Sequence, residues 1–87
     1  MLYCIKAELN GPLDMAPEEL GALIEKERTY VKEQQEAGKI KFIAYMAARK
    51  GSVIIADVAD HGELHVLMMG LPMYMMLATQ VTPLIEY

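Results

Sequence analysis

The chain has 87 residues, 54% of them apolar, and a formal charge of −4 with acidic and basic residues interspersed. So short a chain makes one domain, residues 1–87, and buries only about 60–65% of its unfolded surface; an apolar share above the roughly 45–50% usual for soluble domains therefore predicts a subunit interface, a ligand pocket or both. The absence of a Lys/Arg stripe argues against a nucleic-acid partner, the single Cys4 fits a reducing compartment such as the cytoplasm, no signal-peptide pattern opens the chain, and the longest apolar stretch, Leu64 to Leu77, is broken by Gly70 and Pro72 and too short to span a bilayer.

Residues 2–9 alternate, with Tyr3, Ile5, Ala7 and Leu9 on one face and Leu2, Cys4, Lys6 and Glu8 on the other, as a strand does. Asn10, Gly11 and Pro12 end it. Residues 17–37 read as a helix. Pro17 suits the first helical position, and Glu18 and Glu19 favour the positive end of the helix dipole. Leu20, Leu23, Ile24 and Val31 form an apolar stripe, and Gly38 suits the position just past the helix end.

Residues 39–49 alternate again, with Ile40, Phe42, Ala44 and Met46 opposing Lys41, Ile43, Tyr45 and Ala47. Lys50 and Gly51 predict a tight turn into a β-branched strand over Ser52–Val58, closing a hairpin. Asp60 followed by Glu63 is a capping-box-like start for a helix over about 61–69, which Gly70 stops. Residues 77–82 form a last strand, and Pro83 either breaks it or marks an edge. This order predicts an α+β fold, the ferredoxin-like βαββαβ sandwich: a four-stranded antiparallel sheet with two helices on one face. The other sheet face is also largely apolar, so a second copy packed sheet against sheet, as in a dimeric α/β barrel, would cover it.

Glu27 is the most informative single residue. It lies three positions after Ile24 and four before Val31, which puts a carboxylate inside the apolar stripe. There burial would raise its pKa and tune it as a proton-transfer base; otherwise it reaches solvent or pairs with Lys26 or Arg28. His61 and His65 share a helix face, but with no third ligand in view no metal site is expected. His65 is either a polar residue at the helix edge or a donor over a pocket. Asp57 ends an otherwise apolar strand face and needs a partner; Lys6 is an inner-face cation or an exposed lysine. Met68, Met69, Met73, Met75 and Met76 crowd nine residues, which suits core and interface packing or an adaptable pocket.

Taken in order, MLYCIK at the start, PLDMAP at 12–17, Glu27, Gly38, ADV at 56–58, ELH at 63–65, LPMY at 71–74 and Val81 resemble the muconolactone isomerase family from Met1 to about Leu84. The resemblance implies the fold read above and sheet-paired dimers that build larger rings. It also implies a cofactor-free proton shift, in catechol breakdown, within an unsaturated five-membered lactone carrying a carboxylate. It would make Glu27 the proton-shuttling carboxylate, with Lys6 and His65 holding the lactone or its developing enolate charge. Tyr45, Asp57, Met68, Leu71, Pro72 and Tyr74 are the further residues expected to line the substrate site.

Three departures accompany it. Strand two has Phe42, Ile43, Ala44, Tyr45 and Met46 where the family is richer in Trp, His and Arg; the chain stops at Tyr87 where members continue with a ring-building tail; and the methionines make 68–76 more apolar. A less polar substrate and a smaller oligomer are the corresponding expectations. Alternation also puts Lys6 opposite Tyr3 and Ile5, so it would meet Glu27 only through a bulge or across a dimer. Two other functions fit the same shape: a cofactor-independent oxygenase or cyclase on an aromatic or polyketide substrate, and a non-catalytic binding or assembly module.

Overall fold

A computed structural model describes residues 1–10, 14–47 and 50–86. The elements are β1 (Leu2–Leu9), α1 (Pro17–Glu36), β2 (Ile40–Tyr45), β3 (Gly51–Asp57), α2 (His61–Met69), a 3-10 turn (Tyr74–Met76) and β4 (Leu77–Leu84). The turn residues Gly11 and Pro12 and the predicted strand positions Ala48 and Arg49 lie outside the described residues. The strands form one antiparallel sheet in the order β2-β3-β1-β4. That is the split β-α-β arrangement expected from the element order. Within one chain the sheet is open, with β2 and β4 as its edges.

Local chemistry sets the helix ends. Pro17 opens α1 with Glu18 and Glu19 in its first turn. At its far end Gly38 takes φ +78°, the left-handed region open to glycine. The Gly38 N–H then donates to the Gln35 carbonyl and the Lys39 N–H to that of Gln34, the paired bonds of a Schellman ending. At α2 the Asp60 carboxylate accepts from the Glu63 N–H at 2.8 Å, while the Glu63 carboxylate accepts from the Ala59 N–H at 3.1 Å.

The helices cover the odd-numbered face of β1. Tyr3, Ile5 and Ala7 are fully enclosed there, together with Ile54 and Ala56 of β3 and Leu64, Leu67 and Met68 of α2. The even face carries Cys4, Ile55, Phe42 and Leu84 and is left partly open, Phe42 being 54% exposed. Val31 is the one α1 residue that is fully buried; Leu20, Leu23 and Ile24 are only half-buried. The N-terminal half of α1 thus stands off from the sheet, and that gap becomes the site.

Three local expectations need correction. In β2 the pairing steps from Ile40↔Ala56 to Phe42↔Ile55, so Lys41 is an extra residue in a bulge. Ile40 therefore faces the core and Phe42 the open face, where strict alternation had put them together. The hairpin connection is also longer than a tight turn. β2 ends at Tyr45, Gly51 is already a ladder residue opposite Glu8, and the Met46 N–H donates back to the Gly51 carbonyl at 2.8 Å. Gly51 is required there because a Cβ would run into the Ala7 carbonyl oxygen. Finally, β4 extends to Leu84 rather than ending at 82; Pro83 takes the edge position that was one of its two expected readings, pairing with Tyr3 where a missing N–H costs no ladder bond.

Candidate functional site

Between the raised half of α1 and the sheet lies a cleft of about 490 Å³. Leu20, Ile24 and Val31 of α1 form one wall, and Ala7, Ile43 and Ile54 the sheet wall. Leu71, Met73 and Leu77 close one end, while Tyr45 stands 62% exposed at the mouth. The volume and apolar lining suit a small ring compound.

Glu27 projects into this space from α1. Its Oε1 is buried without a hydrogen-bond partner, the one such side-chain oxygen or nitrogen among the described residues. A buried acceptor left unpaired costs free energy, so a site that keeps one is a candidate for function. Burial pushes the Glu27 carboxyl above the usual carboxylate range, and the Met73 backbone N–H, which favours the charged form, offsets part of that rise. The result is a carboxylate with raised basicity and one oxygen free to take a proton.

Tyr30, one turn along α1, holds the helix in place. Its hydroxyl donates to the Leu67 carbonyl at 2.6 Å, tying α1 to α2. Gly70 gives its ring room, since any Cβ there would strike the phenol. Burial, followed by the negative charges of Glu27 and Glu33, raises the Tyr30 pKa, so it remains a neutral donor beside the carboxylate.

Of the residues singled out in the sequence, the cleft brings together Glu27, Tyr45 and Leu71. The others lie elsewhere in the chain. Lys6 is on the open sheet face, half-exposed and 3.4 Å from Glu8, because strict alternation in β1 turns it away from Ile5 and Ala7. His65 is exposed on the outer side of α2, whose buried residues are Leu64, Leu67 and Met68. Asp57 is on the open face too, 3.4 Å from the N-terminal amine and 4.0 Å from Lys41. Met68 is in the core, Tyr74 packs against it, and Pro72 is half-buried; none of the three lines the cleft. No cluster of three metal-ligating side chains occurs among the described residues, and the His61 ring instead bonds the Tyr3 hydroxyl at 2.6 Å.

Arg28 and Ser52 line the cleft and were not foreseen. Adjacency to Glu27 was the available signal for Arg28, but a helix turns about 100° per residue, so adjacency alone predicts divergence.

The family model described as muconolactone delta-isomerase matches residues 1–87. The chain is 31% identical over 87 residues to the Muconolactone Delta-isomerase of Cupriavidus pinatubonensis, covering 100% of this chain and 95% of that protein. It is 30% identical to Muconolactone Delta-isomerase 1 of Acinetobacter lwoffii, covering 100% of this chain and 91% of that one. Its fold matches a crystal structure of muconolactone isomerase with a TM-score of 0.89 at 24% identity, over 100% of this chain and 91% of that chain. A 5-chloro-2-hydroxyhydroquinone dehydrochlorinase from Burkholderia phenoliruptrix, in complex with 2,5-dihydroxybenzoquinone, matches at a TM-score of 0.70 and 17% identity, covering 100% and 96% of the two chains. These two likenesses speak to the fold.

Proposed function

The chain belongs to the muconolactone delta-isomerase family, and from that premise we propose that it shifts a proton within a small unsaturated lactone, with Glu27 as the shuttling base. The observation that carries this reading is the unpaired, buried Oε1 of Glu27 facing an apolar cleft of ring size.

The chemistry suits one carboxylate. In an α,β-unsaturated lactone the γ-proton is acidic because its loss gives a dienolate spread to the carbonyl oxygen. The Glu27 carboxylate takes that proton and becomes a carboxylic acid. It then returns the proton to the α-carbon, moving the double bond and restoring the carboxylate. Nothing is gained or lost overall, so no cofactor is called for. The base needs raised basicity, which burial supplies.

The test is conversion in deuterium oxide of an α,β-unsaturated γ-lactone bearing an acetate arm, followed by NMR. Double-bond migration with label arriving at the α-carbon is expected from the wild type, and Glu27→Gln should lose both. Full exchange by the Gln variant would overturn the assignment. The alternatives are not favoured: the family points to isomerisation rather than oxygenation or cyclisation, and a hollow with an unpaired carboxylate is a costly feature for a packing module.

No described helix is long and apolar enough to cross a membrane, and we place the protein in the cytoplasm, where its one cysteine would stay reduced. A second copy covers the open sheet face, where Phe42 and Leu84 are 54% and 39% exposed beside Cys4 and Ile55. Sedimentation equilibrium at micromolar concentration should give a dimer or a multiple of it. Phe42→Asp should shift the population toward monomer, and an unchanged mass in that variant would exclude this face as the interface.

A further inference from the structure

The geometry points to Arg28 as the anchor for an anionic arm of the substrate at the mouth of the cleft. This rests on the reading of the cleft as a lactone site and adds the group that orients the lactone within it.

Among the described residues lining the cleft, Arg28 is the one cation and Glu27 the one carboxylate. They are consecutive on α1 and so diverge by about 100° around the helix. Glu27 points into the apolar interior, whereas the Arg28 side chain stays 59% exposed at the rim. A ring held against the Leu20, Ile24 and Ile54 side chains would thus have its acidic carbon near Glu27 and a charged substituent near the guanidinium.

Arg28 is free to take such a partner. Among the described residues its one hydrogen-bonded ion pair is with Glu25, at 3.2 Å one turn back, and that carboxylate is itself 71% exposed. An exposed pair of this kind contributes little, so exchanging Glu25 for a substrate carboxylate costs little. The planar guanidinium presents two parallel N–H donors that match a carboxylate, a fit an ammonium lacks. Arg28 makes no ion pair with Glu27. One guanidinium that neutralised the base would suppress its basicity; here the two charges serve separate ends of the ligand.

Binding measurements test this without requiring turnover. A saturated γ-butyrolactone carrying an acetate arm, and its methyl ester, are titrated calorimetrically into the wild-type protein at neutral pH. The acid should bind roughly 10- to 100-fold more tightly than the ester, the range set by a hydrogen-bonded charge. Arg28→Met should abolish that difference while leaving the ester's affinity unchanged, and Arg28→Lys should restore part of it. Equal loss for acid and ester in Arg28→Met would mean a structural role, and no loss for either would mean the arm lies elsewhere; both overturn the proposal. With the reactive lactone, the same variant should raise KM far more than it lowers kcat. Failure of the proton-transfer reading has a different signature: wild-type protein that binds the acid preferentially yet moves no double bond.

Discussion

Glu27→Gln is expected to lower kcat by about 10²- to 10⁴-fold, the contribution typical of a positioned general base, and to leave the folded protein more stable than wild type at neutral pH. The first effect follows because an amide has the shape of the carboxyl but cannot accept the ring proton. The second follows from linkage. The Glu27 carboxyl titrates above its ordinary value of 4.5 in the folded chain, chiefly through burial. Between that value and the raised one, the native state holds a proton that the unfolded state has released. Stability therefore falls as pH rises through this window and stays reduced above it. The Gln variant has nothing to ionise, so its advantage should open across that window and then stay constant.

Activity runs the opposite way, since the base must be ionised: wild-type kcat/KM should fall as pH is lowered through the raised pKa. Ultraviolet titration of Tyr30 supplies a third readout. The Glu27 charge is one cause of its raised pKa, so Glu27→Gln should bring it down part of the way toward 10.0, with burial retaining the rest. A Gln variant with wild-type turnover, or one that is destabilised at neutral pH, would remove Glu27 from the role assigned to it.

Ile5→Ala should cost about 2–5 kcal/mol of folding free energy, the range for an aliphatic side chain cut back in a core that cannot collapse around the loss. Ile5 is 0% exposed on a central strand, between Ile54 of β3 and Val81 of β4. Backbone ladders on both sides hold β1 in register, so neighbours have little freedom to close the gap. Against a whole-domain stability of about 5–15 kcal/mol, that loss removes a large share. Ile5→Val should cost about 0.5–1.5 kcal/mol, which separates lost volume from a disturbed strand. Urea denaturation midpoints measure both. A cost for Ile5→Ala no larger than that for Ile5→Val would show that this layer is loosely packed.

Features that depend on a few neighbouring residues were legible before any coordinates. The period-two pattern of 2–9, Pro17 with its two glutamates, Gly38 and the Asp60–Glu63 pair set the bounds of β1, α1 and α2, because caps and alternation are local chemistry. Glu27 was legible for a similar reason: a carboxylate at a stripe position is visible from spacing alone. Lys6, His65, Asp57 and Met68 were harder. Family likeness marked Lys6 and His65 for the site, a lone carboxylate on an apolar strand face marked Asp57 and the methionine cluster marked Met68, but whether a side chain reaches a hollow depends on which way its strand or helix is turned in the packed chain. Strict alternation sends Lys6 to the open face, and the Leu64–Leu67–Met68 face of α2 leaves His65 outside. The bulge at Lys41, which reverses Phe42, has no distinctive residue such as glycine to announce it.

The amino-acid order by itself determined the element sequence, the alternation that splits β1 into two faces and the carboxylate in the apolar stripe, since each is written in residues a few positions apart. Only the tertiary structure decided that α1 stands off the sheet to leave a cleft, that Arg28 shares its rim, and that one oxygen of Glu27 goes without a partner. Those outcomes depend on how Tyr30 docks against Gly70 and Leu67, and Gly51 against Ala7. Such contacts join residues far apart in the chain, and their geometry is set by the packing of the whole domain, which no short window of sequence contains.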